Sequence, residues 1–257
     1  MKYLMPTLAV AIAAGFTGVS KADVVLDFEG LAHGQILDAS HFTGVSAMRA
    51  YNGGGGPDWA VAFDTTQTGT ADPDLEIGSG WSGGNLAPNT ALGNVMILQE
   101  NSLDANHDGI ADNPDDEGSQ PAGWVGFRFD EQLTSLSFDV LDIDGAAEQS
   151  KWSVEFYAGR TMIGEVEFAD FTSAGSTFYD STVNFGNHHA NHISDILASD
   201  LNARFFDGVK FNFGSSGAID NIVGTTAKAV PLPPAALAGL ALMGFLGYRR
   251  RTAKEEA

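Results

Sequence analysis

Apolar and polar positions alternate in short runs along most of this chain. Val24 to Phe28 opens the series, and Trp59, Val61 and Phe63 alternate with smaller residues. Val95 to Leu98 is a continuous apolar run. Val125, Phe127 and Phe129 alternate with Gly126 and Arg128, and Leu136, Phe138 and Val140 with Ser137 and Asp139. The same rhythm returns at Trp152, Val154 and Phe156, at Val166 and Phe168, at Val209, Phe211 and Phe213, and at Ile219 to Val223. Period-two alternation marks half-buried strands with one face in a core. Many such strands separated by Gly-rich turns predict an all-β domain, a β-sandwich of jelly-roll type. Helical spacing is confined to Asn191–Ala203, where Ile193, Ile196, Leu197 and Leu201 carry it.

The two ends follow other rules. Residues 1–22 read as a secretory signal peptide: Lys2 gives the positive start, Leu4 to Val19 is largely apolar, and Ser20-Lys21-Ala22 offers a small-residue cleavage site. At the other end Val230-Pro231-Leu232-Pro233-Pro234 precedes an apolar run from Ala235 to Tyr248 and then Arg249-Arg250-Arg251. The run is short against the roughly 20 residues of a stable span, and its basic flank would stay on the cytoplasmic side. In this order of parts, residues 230–257 resemble the PEP-CTERM class of bacterial sorting signals, in a V-P-L-P form. The resemblance implies export in a Gram-negative bacterium, an inner-membrane intermediate held by the C-terminal hydrophobic sorting helix, and an exosortase-type sorting enzyme as partner. Residues 23–229 are left as one β-sandwich domain.

Composition agrees with a folded domain and narrows its partners. The chain is 44% hydrophobic and 10% aromatic, enough for a core. It carries 13 basic and 33 acidic residues, a net charge of −20. Without the two ends, seven basic and 31 acidic residues remain. That balance argues against nucleic acid or an anionic membrane surface as partner. An exported chain with no cysteine has no disulfides to hold it. Bound cations, Ca2+ first among them outside cells, would relieve the self-repulsion and serve as staples.

The sharpest chemical pattern lies at 104–117, Asp104-Ala105-Asn106-His107-Asp108-Gly109-Ile110-Ala111-Asp112-Asn113-Pro114-Asp115-Asp116-Glu117. Oxygen-bearing side chains fall at loop positions 1, 3, 5, 9 and 12 (Asp104, Asn106, Asp108, Asp112, Asp115), glycine stands at 6, and Ile110 would offer its carbonyl. Calcium takes six to eight oxygens, and alternating ligands wrap a loop around it. With Asp115 rather than Glu at the last position, the loop resembles those of dockerins and thrombospondin type 3 repeats, which implies a calcium site here.

Other carboxylates are dispersed but ordered. Phe63-Asp64-Thr65, Asp72-Pro73-Asp74-Leu75, Gly93-Asn94-Val95-Met96-Ile97, Asp115-Asp116, Leu141-Asp142-Ile143-Asp144 and Gly217-Ala218-Ile219-Asp220-Asn221-Ile222 follow one another. The series resembles a recurrent family of exported bacterial β-sandwich proteins, which implies a calcium-dependent jelly roll without established catalysis. Jelly-roll carbohydrate-binding modules hold a structural calcium where the chain ends meet. That likeness carries over to Asp27, Glu29 and Asp220; solvent-facing carboxylates are the ordinary alternative. Asp142 and Asp144 point to one side and could face Asp72 and Asp74 across an ion, since close carboxylates without a cation repel. Asp116 is counted with this group.

The remaining candidates are weaker. Gly53–Gly56 reads as a flexible loop, without the strand–loop–helix and Lys-Ser/Thr context of a phosphate cradle. His188, His189 and His192 lack the acidic residue of a zinc helix. The polar stretch from Thr65 to Asn94 is long enough to carry function or an ion. Trp124 and Trp152 fit strands and a core, whereas Trp81, among glycines, is the candidate to stack on a sugar. No cysteine nucleophile exists, and the Gly-x-Ser-x-Gly spacing at Gly80-Trp81-Ser82-Gly83-Gly84 lies in the polar, Gly-rich stretch without the strand and helix that flank a nucleophile elbow. The expectation is a non-enzymatic, calcium-stabilised protein of the cell surface or extracellular matrix, structural or glycan-binding, with extracellular polysaccharide as a partner. The alternative is a secreted polysaccharide hydrolase using paired carboxylates.

Overall fold

The computed structural model describes residues 23–227. The signal peptide and the sorting segment expected at 1–22 and 230–257 lie outside the described residues. The described chain is mostly β: β1 (Val24–Leu26), β2 (Val45–Asn52), β3 (Ala60–Asp64), β4 (Asn94–Leu98), β5 (Gly123–Leu141), β6 (Ser153–Ala158), β7 (Thr161–Glu167), β8 (Ala190–Leu197), β9 (Phe206–Phe213) and β10 (Ala218–Thr226). Two single-turn helices, α1 (Gly145–Gln149) and α2 (Phe168–Thr172), interrupt them. Among the described residues no helix is long and apolar enough to cross a membrane.

All ten strands belong to one antiparallel sheet that curls on itself, and β5 is its spine. Residues 123–129 of β5 run between β2 and β9, while 133–141 run between β8 and β10. The register toward β9 shifts between Arg128 and Leu133, so a single strand changes partners at mid-length. The curl brings its two halves around one core. Phe138, on the second half, meets Phe211 of β9 edge to face at 5.1 Å. Val125, Phe127, Val154, Phe156, Ile193 and Val209 join the same buried cluster. β9 continues to β6 and β7, and β10 continues to β4 and β3.

A second, smaller core lies on the other side of β3 and β4. Val61, Phe63, Val95 and Ile97 point into it and meet Leu75, Trp81 and Leu92 from the 65–93 segment. β4 is therefore buried on both faces, which is why its sequence reads as an unbroken apolar run. The segment covers this core.

The helical expectation for Asn191–Ala203 is corrected. Residues 190–197 form β8, and only Ala198–Leu201 make a 3-10 turn. Between the pairs Ile196–Leu136 and Ile193–Phe138 three steps on β8 oppose two on β5. This bulge gives the two isoleucines their spacing of three without a helix.

Candidate metal centres

Three groups of carboxylates are built by the fold. The first is the 104–112 loop. Asp104 Oδ1 accepts the Asp108 N–H at 3.2 Å and its Oδ2 the Gly109 N–H at 3.2 Å. Asp108 Oδ1 accepts the Ile110 N–H at 3.0 Å, and Asp112 Oδ2 the Ala105 N–H at 2.8 Å. Asn106 Nδ2 donates to Asp108 Oδ2 at 2.9 Å. His107 and Gly109 are both left-handed (φ 58° and 83°), which curls the chain at loop positions four and six, glycine doing so without steric cost. Gln35 and Ile110 form a bridge, and the Ala111 N–H donates to the Gly34 carbonyl at 2.7 Å, anchoring the loop to the domain. Asp104, Asn106, Asp108 and Asp112 thus share one turn. Asp115 leaves it: its N–H donates to Gln99 Oε1 at 3.2 Å, and its carboxyl meets Glu100, with Asp72 and Glu117 as neighbouring charges.

The second group joins three distant segments. Pro73–Leu75 is a single 3-10 turn pinned by the fully buried Leu75, which sets Asp72 and Asp74 on either side of Pro73. Asp116 forms a bridge with Gln99 beside β4. Asp142 follows β5 in a left-handed conformation (φ 58°), and Ile143 after it is buried. Asp116 accepts from Ser216 Oγ and the Gly217 N–H, and Asp142 Oδ1 from the His188 N–H. The side chains of Asp72 and Asp116 touch. Burial raises Asp72, with the charge of Asp74 adding to it. Burial, then Asp72, pushes Asp116 well above the carboxylate range. Asp142 is pushed up to about 7, by burial first and then by Asp144, Asp74 and Asp72. Every charge acting on these three groups is another carboxylate. Asp72 Oδ2 is buried with no hydrogen-bond partner.

The third group lies where β1 leaves β10. Asp220 is fully buried and pairs in register with Asp139 of β5. The register toward β5 shifts between Asp220 and Val223. Inside this bulge Asn221 is left-handed (φ 47°), and its Nδ2 donates to Asp139 Oδ2 at 2.8 Å and Asp220 Oδ2 at 3.0 Å. The other oxygen, Asp220 Oδ1, has no partner. Glu29 Oε1 accepts the Asn94 N–H at 3.2 Å, and Asp27 Oδ1 accepts the Glu29 N–H at 3.2 Å. Burial, then the charges of Asp139, Glu29 and Asp27, pushes Asp220 up to about 9. Asp139 also meets His192 Nδ1 at 2.6 Å, which raises the histidine's pKa.

Among the described residues no group of three or more His, Asp or Glu side chains is already arranged to hold a metal ion. What the second and third groups present is a buried carboxyl oxygen without a partner, surrounded by like charge. Such an oxygen calls for a proton or a cation. A hard, oxygen-seeking ion such as calcium suits the donors, because it also takes carbonyl, amide and water oxygens.

Several expectations are corrected. Trp81 is not an exposed platform: it is 3% exposed, its Nε1–H donates to the Thr90 carbonyl at 2.9 Å, and its ring packs on His188. A tryptophan among glycines still seeks burial when the segment folds over a core. Trp124, expected in the core, is half-buried on the outer face of β5. Gly53–Gly56 is a tied turn: Asn52 Oδ1 accepts the N–H groups of Gly54, Gly55 and Gly56 at 2.7–3.1 Å. A Cβ on Gly54 or Gly56 would collide with the Glu117 carboxyl or the Glu100 carbonyl. His188, His189 and His192 take separate partners: the Glu76 carbonyl and Ser82, the Asn184 carbonyl, and Asp139.

Sequence reasoning missed Asp139, Asn221 and Glu100. Asp139 reads as an outward position of an alternating strand, yet it is 5% exposed.

No protein-family model and no curated protein matches the chain. Among solved structures, the chain is similar to the K2 cleaved adhesin domain of Lys-gingipain. The likeness covers 80% of this chain and 99% of that one, at 18% identity and a TM-score of 0.40.

Proposed function

We propose that this chain is an exported, calcium-stabilised and non-enzymatic protein with a jelly-roll-type β-domain, structural or glycan-binding, held at the cell surface or in the extracellular matrix. In this reading the C-terminal segment is handled by an exosortase-type enzyme, on the strength of its Pro motif, apolar run and Arg cluster. The observation that carries the calcium reading is the pair of buried, unpartnered carboxyl oxygens, Asp72 Oδ2 and Asp220 Oδ1. Each is set among carboxylates drawn from segments far apart in sequence, with only like charges acting on it. Gathering negative charge in a nearly dry site opposes folding unless a proton or an ion neutralises it. Asp72, Asp74, Asp116, Asp142 and Asp144 would hold one ion, and Asp27, Glu29, Asp139 and Asp220 another. The exposed 104–112 turn would take a third through Asp104, Asn106, Asp108, Asp112 and the Ile110 carbonyl.

The test is thermal melting of the full chain in calcium and in chelator. An ion at about a hundred times its dissociation constant adds about 2.7 kcal/mol, or roughly 5–10 °C for a domain of this size. Identical melting in the two conditions overturns the reading.

A further inference from the structure

We propose that the outer face of β2, the first half of β5, β9 and β6 is a groove for an acidic, uronate-bearing polysaccharide. This deepens the glycan-binding part of the function proposed above and is independent of its calcium part. The strand register lays the face out in rungs. Tyr51, Trp124, Asn212 and Ser153 are aligned across the four strands, and Arg49, Gly126, Lys210 and Glu155 form the next rung. Ala47, Arg128, Gly208 and Tyr157 form a third. Gly126 and Gly208 carry no side chain, which lets the Trp124 ring lie beside the first and the Arg128 guanidinium lie over the second. Two cavities of about 240 and 600 Å³ open along this face, and Trp124 lines both.

The wall chemistry is that of a sugar site. Tyr51, 50% exposed, stacks with Trp124 at 6.1 Å and 27°, giving an aromatic surface for the CH faces of pyranose rings. Gln120, Ser153 and Asn212 line the larger cavity with groups that bond hydroxyls.

Charge selects the class of glycan. Six Lys and Arg residues occur between 23 and 227, and four of them, Arg49, Arg128, Lys151 and Lys210, line these cavities. Two of the carboxylates at the groove, Glu155 and Asp207, are neutralised by cations, whereas Glu165 and Glu148 accept from the neutral Ser153 and Gln120 side chains. Glu155 is paired with Lys210 at 2.5 Å and bonded by Tyr157 and Asn212; Glu165 accepts from Ser153 at 2.7 Å; Asp207 is paired with Arg128 at 2.5 Å. Arg49 is exposed, and Lys151 Nζ donates to the neutral Gln120 side chain at 2.9 Å. These two cations flank the aromatic pair and match carboxylates spaced along a polymer. The rest of this acidic surface repels a polyanion, which confines binding to the groove.

Full-length protein in calcium is titrated with hyaluronan and glucuronoxylan oligosaccharides, and with a neutral cello-oligosaccharide. Binding of at least one uronate ligand, weakened by salt, is expected. Trp124→Ala should weaken it about tenfold, and Arg49→Ala with Lys151→Ala several-fold, with melting unchanged for the two exposed cations. No uronate binding by folded protein overturns the proposal. So does equal binding of the neutral ligand that ignores the Arg49 and Lys151 changes. Melting of the same samples with and without calcium separates this outcome from failure of the metal reading: binding without a calcium shift leaves the groove standing and removes the ion.

Discussion

Replacing Asp220 with asparagine isolates the charge at the third carboxylate group while keeping its shape. In the native state burial and the charges of Asp139, Glu29 and Asp27 raise this carboxyl to about 9, whereas in the unfolded chain it titrates near 4. The folded protein therefore binds the proton more tightly. Without metal, the group carries no penalty below pH ~4, where both states are protonated. Stability then falls by about 1.4 kcal/mol per pH unit until the native group ionises. That amounts to on the order of 1–2 kcal/mol at pH 5 and 4 kcal/mol at pH 7. Asparagine does not titrate. Its carbonyl keeps the bond from Asn221 Nδ2, and its amide donates toward the surrounding carboxylates instead of repelling them. In chelator, Asp220→Asn should be more stable than the unmodified chain, and its advantage should grow between pH 5 and pH 7. In calcium the ordering should narrow or reverse, because the ion replaces the proton on aspartate and finds one charge fewer on asparagine. Urea titrations at the two pH values, with and without calcium, read all four numbers. A variant less stable than its parent in chelator by the same amount at both pH values would refute the reasoning.

Further outcomes follow from the same geometry. Asp72→Asn should likewise raise stability in chelator and shrink the calcium-induced rise in melting temperature, since it removes charge beside Asp116 and Asp142. Asp108→Asn, in the exposed loop, should lower the melting temperature only in calcium. Gly109→Val should lower it in both conditions, because φ 83° strains a β-branched residue. Trp81→Ala should cost about 3–5 kcal/mol of stability by denaturant titration and leave glycan binding unaltered, as expected of a buried ring. His192 has a raised pKa through Asp139, so its contribution is full at acid pH and is lost as pH rises through that pKa. His192→Gln should flatten this part of the pH–stability curve in urea titrations.

Much of the sheet was legible because burial enforces alternation. The runs Val125–Phe129 and Leu136–Val140 are visible as strands, but their union into the 19-residue β5 is not. Continuity across Asp130–Gln132 depends on which strands lie alongside. β2 escaped notice because only Val45 and Asn52 are buried along it, so no apolar face is written in its sequence. β8 imitated a helix because a bulge spaces two core isoleucines three apart. That Asp27 and Glu29 lie near Asp220 was expected from chain ends that meet, and that Asp72 and Asp74 lie near Asp142 from the alternation before Leu141; the structure brings these charges within reach of one another. The separation of Asp115 from Asp116 was not legible. One faces Glu100 and the other Asp72, a division made by the bridge between Gln99 and Asp116. The rungs of the outer face were invisible too, since register across four strands is a property of pairing alone.

The central claim is that cations replace protons on carboxylates which the fold gathers and dries. Calcium titration calorimetry of the full chain at pH 7, in two buffers of different ionisation enthalpy, measures that exchange directly. With Asp220 raised to about 9, Asp142 to about 7 and Asp116 well above the carboxylate range, binding at pH 7 should release at least about one proton, and the heats should differ between buffers accordingly. Heats identical in both buffers, or no binding by folded protein, would contradict it.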